Sequence, residues 1–121
     1  MPYRRAKDPK EVVVIFKLFL REDADLEAYQ RTSRRMHELV ERVPGFISLK
    51  EYTGDDGEVL DIARFKDEAS LEAWRRDPEH LEAQRRGREE FYDRYRIQAM
   101  KVVRDYEYEM PRSMSKGSTV G

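Results

Sequence analysis

The chain has 121 residues, a formal net charge of −1, 40% charged and 39% hydrophobic residues, and no cysteine. That length holds one domain with one modest core, and the apolar share is enough to fold it. Balanced charge removes the basic face that a nucleic-acid partner requires, and the absence of thiols excludes disulfide frameworks, thiolate metal sites and cysteine nucleophiles.

Residues 1–9 read as a polar N-terminal extension. Val12 to Leu20, VVVIFKLFL, is β-branched and aromatic, and apolar at both odd and even positions, which predicts a strand buried on both faces. It has about half the length of a membrane span, so a soluble, cytoplasmic protein without a membrane partner is expected. Asp23 or Asp25 caps a following helix whose apolar positions, Leu26, Tyr29, Met36, Leu39, Val40 and Val43, recur at helical spacing until Pro44-Gly45. Phe46–Tyr52 and Glu58–Phe65 form a hairpin around Thr53-Gly54-Asp55-Asp56-Gly57, where glycine supplies the positive φ of the turn. Asp67 caps a short helix through Trp74, and Asp77-Pro78 opens a second helical segment to about Tyr92. Ile97–Tyr108 returns to strand composition, and residues 111–121 read as a disordered tail.

The order β-α-β-β-α-β predicts an α+β, ferredoxin-like domain over residues 10–108, with an antiparallel four-stranded sheet and its helices on one face. A first strand that is apolar on both faces leaves the second face needing cover, which predicts a homodimer with sheet packed against sheet.

The segment AWRRDPEHLEAQRRGREEFY carries the only Trp, one of two His and a mid-helix Gly. On a helix from Pro78, His80, Gln84, Gly87 and Phe91 share one stripe, which predicts one wall of a pocket between helices and sheet. Gly87 costs about 1 kcal/mol relative to Ala, so its missing side chain makes room for a neighbouring element or a ligand. Competing readings stand beside these: Trp74 as core packing, His80 as a solvated helix-start residue, and Arg94 as a helix C-terminal cation. His37 reads as a surface residue, and the tyrosines at 92, 95, 106 and 108 as sheet or interface residues. Two His without a paired spacing specify no metal, no glycine-rich phosphate loop is present, and the serine hydrolase elbow is missing.

Val43-Pro44-Gly45-Phe46, the Asp55-Asp56-Gly57-Glu58 turn, the block from Ile62 to Trp74 and Pro78-Glu79-His80 together resemble the antibiotic biosynthesis monooxygenase family over about residues 10–108. The resemblance implies a dimeric α/β barrel of ferredoxin-like subunits. It also implies oxygenation of a small aromatic, phenolic or quinone-type metabolite by O2, without metal or flavin. On the pattern of the anthrone oxidases, the family's Trp falls on Trp74 and its Arg on Arg94, while Ser70 and His80 stand where that pattern has Asn and Tyr. The expected catalytic set is therefore His80 as base, Trp74 as aromatic wall and Arg94 steadying an anion, with Phe16, Ser70, Gln84 and Phe91 touching substrate. A non-catalytic dimeric ligand-binding or stress-related module is the alternative reading. Haem binding or degradation stands third, because Gln84 and Phe16 occupy the positions of that subfamily's His and Asn, and a Gln amide cannot replace an axial imidazole.

Overall fold

A computed structural model describes residues 3–5 and 9–111. The tail expected at 111–121 lies outside the described residues except for Pro111. The elements in chain order are β1 (Tyr3–Arg5), β2 (Val12–Leu20), α1 (Leu26–Val40), β3 (Phe46–Thr53), β4 (Val59–Phe65), α2 (Glu68–Arg75), α3 (Pro78–Arg86), a π-helical turn (Gly87–Phe91), β5 (Tyr92–Lys101) and β6 (Tyr106–Tyr108).

Four strands form one antiparallel sheet in the order β3-β4-β2-β5, the ferredoxin-like α+β arrangement expected from the alternation of elements. β2, the run with apolar residues at both parities, lies between β4 and β5; Val12 and Leu18 are buried on the helix side, while Val13, Ile15 and Phe19 on the other face are half-buried. Strand alternation and the register Phe16↔Asp61 and Phe16↔Ile97 place Val14, Phe16, Leu18, Asp61, Ala63, Ile97 and Ala99 on one face, where all three helices lie over them. Val12, Val40, Phe65 and Leu71 are the buried core on this side, with Trp74 and Leu49 packed against it.

Each helix starts where an aspartate side chain accepts a backbone N–H of the first turn: Asp25 from Ala28, Asp67 from Ser70 and Asp77 from His80. α1 stops at Val40 rather than Val43, because Arg42 and Val43 donate to Leu39 and Val40 in tightened turns before the chain reverses. Gly45, at φ +91°, completes that reversal, and a side chain there would overlap the Ser70 Oγ. This close approach lets α2 dock against the turn.

Three local features depart from simple alternation and spacing. A bulge at Ile47 sends Leu49 to the same face as Phe46, where both pack against the core. The helical segment expected to reach about Tyr92 runs as α3 to Arg86 and as the π-helical turn to Phe91, and β5 begins at Tyr92, five residues before the expected start at Ile97. The alternation Arg94, Arg96, Gln98 against Tyr95, Ile97, Ala99 is a strand pattern masked by its charge, and it pairs with Val14–Phe19. The strand expected to run to Tyr108 breaks after Lys101, and β6 pairs instead with β1 from the N-terminal extension.

Candidate active site

A cavity of about 220 Å³ opens between the helices and the sheet. Its helical side is built from Tyr29, Thr32 and Met36 of α1, Leu71 and Trp74 of α2, and His80, Ala83 and Gln84 of α3; its floor includes Phe16, Asp61 and Ile97. The Asp77 cap fixes the first turn of α3, and the His80 ring stacks on Trp74 with centroids 4.0 Å apart and planes inclined by 19°. The His80 Nδ1 lies 3.1 Å from the Trp74 carbonyl oxygen. A carbonyl only accepts, so Nδ1 carries the proton and Nε2 of the neutral ring keeps a lone pair. Burial, the dominant influence, lowers the pKa of His80 below its usual 6.5, against the opposing pull of the Trp74 carbonyl and Asp77. The ring is therefore neutral at physiological pH.

Of the residues expected to form the site, Phe16, Trp74, His80, Gln84 and Phe91 come together around this cavity. Two do not. Ser70 is buried under Gly45, its hydroxyl donating to Asp67 Oδ1 at 2.8 Å. It reinforces the Asp67 cap of α2, packs under the turn and is not part of the cavity lining. Arg94 pairs across from Phe19 on the opposite face of the sheet, and its guanidinium lies 4.4 Å from the centre of that ring. It is separated from the cavity by the sheet itself, because strand residues of opposite parity face opposite ways.

The space left by Gly87 belongs to a neighbouring element. A Cβ there would sit 2.2 Å from the Tyr92 ring, whose edge packs directly on the glycine backbone. Arg21 holds this turn in place by donating to the carbonyls of Arg88, Glu89 and Tyr92 at 2.7, 2.7 and 3.1 Å. These bonds satisfy acceptors that the end of a helix leaves free. Gly87→Ala is expected to destabilise the fold by about 1–3 kcal/mol in chemical denaturation, because the half-buried Tyr92 ring must move. An unchanged midpoint would show that the ring swings aside freely.

Sequence reasoning passed over Asp61, the most perturbed carboxyl group of the cavity. Its Oδ1 is fully buried without a hydrogen-bond partner among the described residues. Burial first, then the charge of Glu51 across the strand pair, raise the Asp61 pKa from 3.8 to about 7. Tyr92 is pushed up to about 12, and Tyr29 is raised as well, both chiefly by burial and next by Asp61. The signal was present in VLDIARF, where Asp61 falls in phase with Ala63 and Phe65, at a position where the strand pattern calls for an apolar side chain. Among the described residues no group of three or more His, Asp or Glu is arranged to hold a metal ion, and no helix is long and apolar enough to cross a membrane.

This architecture, a four-stranded antiparallel sheet with an aromatic-walled cavity beneath its helices, defines a ferredoxin-like α+β domain. The sequence model described as antibiotic biosynthesis monooxygenase matches residues 11–86, and the chain belongs to that family. It is 27% identical over 100 residues to the uncharacterized protein YqjZ of Bacillus subtilis, covering 83% of this chain and 86% of the relative. Rv0793 from Mycobacterium tuberculosis superposes with a TM-score of 0.69 at 21% identity, over 78% of this chain and 96% of that one. SnoaB, a cofactor-independent oxygenase from Streptomyces nogalater, superposes with a TM-score of 0.65 at 14% identity, over 85% and 99% of the two chains. At such identities the likeness to the solved structures establishes the fold.

Proposed function

We propose that this protein oxygenates a small phenolic or enolisable aromatic metabolite with O2, the substrate itself serving as reductant. The observation that carries this reading is the neutral His80, its Nδ1 occupied by the Trp74 carbonyl, in the wall of a largely apolar cavity. Membership of a monooxygenase family and a fold shared with a cofactor-independent oxygenase support it. In this reaction His80 Nε2 takes the proton of a substrate hydroxyl, and Trp74 and Phe91 flank the aromatic ring. The resulting anion passes one electron to O2, and the radical pair joins at carbon to give a peroxide. Loss of water from a CH–O–OH group leaves a carbonyl, so the net change is CH2 + O2 → C=O + H2O. One oxygen atom enters the product and the other leaves as water, with no external reductant. Arg94 stands on the far side of the sheet, so the anion is steadied here by the cavity rather than by that guanidinium.

The test is incubation of the protein with 1,8-dihydroxyanthrone under ¹⁸O2. The expected result is protein-dependent O2 uptake with one ¹⁸O in the new carbonyl. If a panel of hydroxyanthrones, naphthols and hydroquinones is consumed no faster than in buffer, the oxygenase reading fails and the ligand-binding alternative takes its place.

The same reading includes a homodimer. Val13, Ile15, Phe19, Leu60 and Ile62 form a half-buried apolar band on the sheet face away from the helices, and among the described residues no helix packs on it. A second copy laid sheet against sheet buries this band. The hydrodynamic mass is expected near twice 14.5 kDa at micromolar concentration. Ile15→Lys is expected to reduce it to the monomer value while circular dichroism is preserved. A monodisperse wild-type monomer removes the dimer.

A further inference from the structure

We infer that Asp61 is the second proton-transfer residue of this cavity, handling on the sheet side the proton that His80, on the helix side, cannot carry at the same moment. The inference rests on the oxygenase reading. It starts from placement: Asp61 is the carboxylate of the floor, directly across the strand pair from Phe16, and its Oδ1 is buried with no hydrogen-bond partner among the described residues. A buried acceptor left open at the edge of a cavity is completed by whatever fills that cavity. The ionisable groups around it are Glu51 from β3, Tyr29 from α1 and Tyr92 from β5, while Arg75 of α2 and His80 of α3 line the same space. The raised pKa of Asp61 keeps it near half-protonated at neutral pH, the condition in which one group can serve as acid and then as base.

Two protons leave the substrate and two are needed to make water, and the pair His80 and Asp61 accounts for all four transfers. Neutral His80 takes the O–H proton, and the anion and O2 combine to form a peroxide anion. Asp61 in its acid form protonates that peroxide and becomes a carboxylate. The carboxylate then takes the C–H proton from the oxygenated carbon; the C–H electron pair becomes the second bond of the carbonyl as the O–O bond breaks. The departing hydroxide takes the proton held on His80 and leaves as water. Both residues return to their starting states. The substrate is therefore one whose oxygenated carbon still bears a hydrogen after O2 adds, as the CH2 of an anthrone does.

The experiment uses the full chain and 1,8-dihydroxyanthrone. Asp61→Asn keeps the shape of the side chain and removes its titration. It is expected to lower kcat about 10²-fold with KM within about twofold, to abolish the ionisation near neutrality in the kcat profile, and to release hydroperoxide, detected by peroxide dye. Glu51→Gln alters only an exposed neighbour. It is expected to move that ionisation to lower pH, because a negative charge that holds the proton on Asp61 is lost. Wild-type turnover that Asp61→Asn retains, or an ionisation that Glu51→Gln leaves in place, overturns this assignment alone. No turnover by the wild-type protein overturns it together with the oxygenase reading.

Discussion

His80→Ala is expected to lower turnover of a phenolic substrate by about 10²–10⁴-fold, the usual contribution of a positioned general base, with the fold retained. The fold survives because the α3 cap lies elsewhere: the Asp77 side chain accepts from the backbone N–H of residue 80, which Ala keeps. What is lost is the Nε2 lone pair and the ring that stacks on Trp74. The pH dependence follows from the direction of the shift. Burial lowers the His80 pKa, so the wild-type protein holds a competent base down to a pH below 6.5, and the acid limb set by His80 lies beneath that point. In the Ala variant this acid limb disappears, and the residual rate rises with pH as solution supplies the substrate anion directly. Steady-state rates between pH 5 and 9 check both features. Full activity of the variant across that range removes His80 from the chemistry.

The second large effect is on stability. Asp61→Asn is expected to raise the melting temperature at pH 8.5 relative to the wild-type protein, and to do so far less at pH 4. The folded-state pKa of Asp61 is raised to about 7 from 3.8, so the folded protein binds the proton more tightly than the unfolded chain. Its contribution is fully favourable below about pH 4 and is lost progressively as pH rises through the folded value near 7. Above that, the native state holds a buried carboxylate beside Glu51. At roughly 1.4 kcal/mol per unit, a shift of this size has a ceiling of about 4 kcal/mol; relaxation and water access bring the expected penalty to about 2 kcal/mol, or a difference of order 5–10 °C. Fixed packing differences between Asp and Asn cancel when the two pH values are compared. A melting-temperature difference that is the same at pH 4 and pH 8.5 would show that Asp61 titrates like an exposed aspartate.

The two variants also separate the two sides of the cavity. On the proposed mechanism His80 acts through a lone pair on α3, so its loss is expected in rate; Asp61 acts through a buried carboxyl on β4, so its loss is expected in rate and in stability with opposite signs. This opposition is common where a group is held in an unfavourable state for chemistry, because the burial that tunes the pKa destabilises the charged form.

Much of the domain was legible in the sequence because its local signals agree. Three aspartate caps, the Pro44-Gly45 reversal, the Asp56-Gly57 turn and the two-faced run Val12–Leu20 each state a boundary or a burial that short-range physics enforces. The helical stripe of His80, Gln84 and Phe91 was readable for the same reason, since spacing on one helix fixes which side chains share a face. What the sequence by itself determined is thus the set of elements, their order and the helical wall of the cavity.

The floor was decided only by the tertiary structure. Arg94 looked like a site residue because the family pattern counts positions along the chain, but which face of the sheet a strand residue takes depends on register. That register here passes through an irregularity between Phe19 and Leu20 and a strand starting at Tyr92. Ser70 stands at a plausible spacing on α2, yet the close approach of Gly45 consumes its surroundings. Asp61 is the converse: a carboxyl whose raised pKa comes first from burial beneath helices that include α1 and α3, well separated from it in sequence, and then from Glu51 on the paired strand. A pKa shift of that kind is made by desolvation, and desolvation exists only once distant segments have packed.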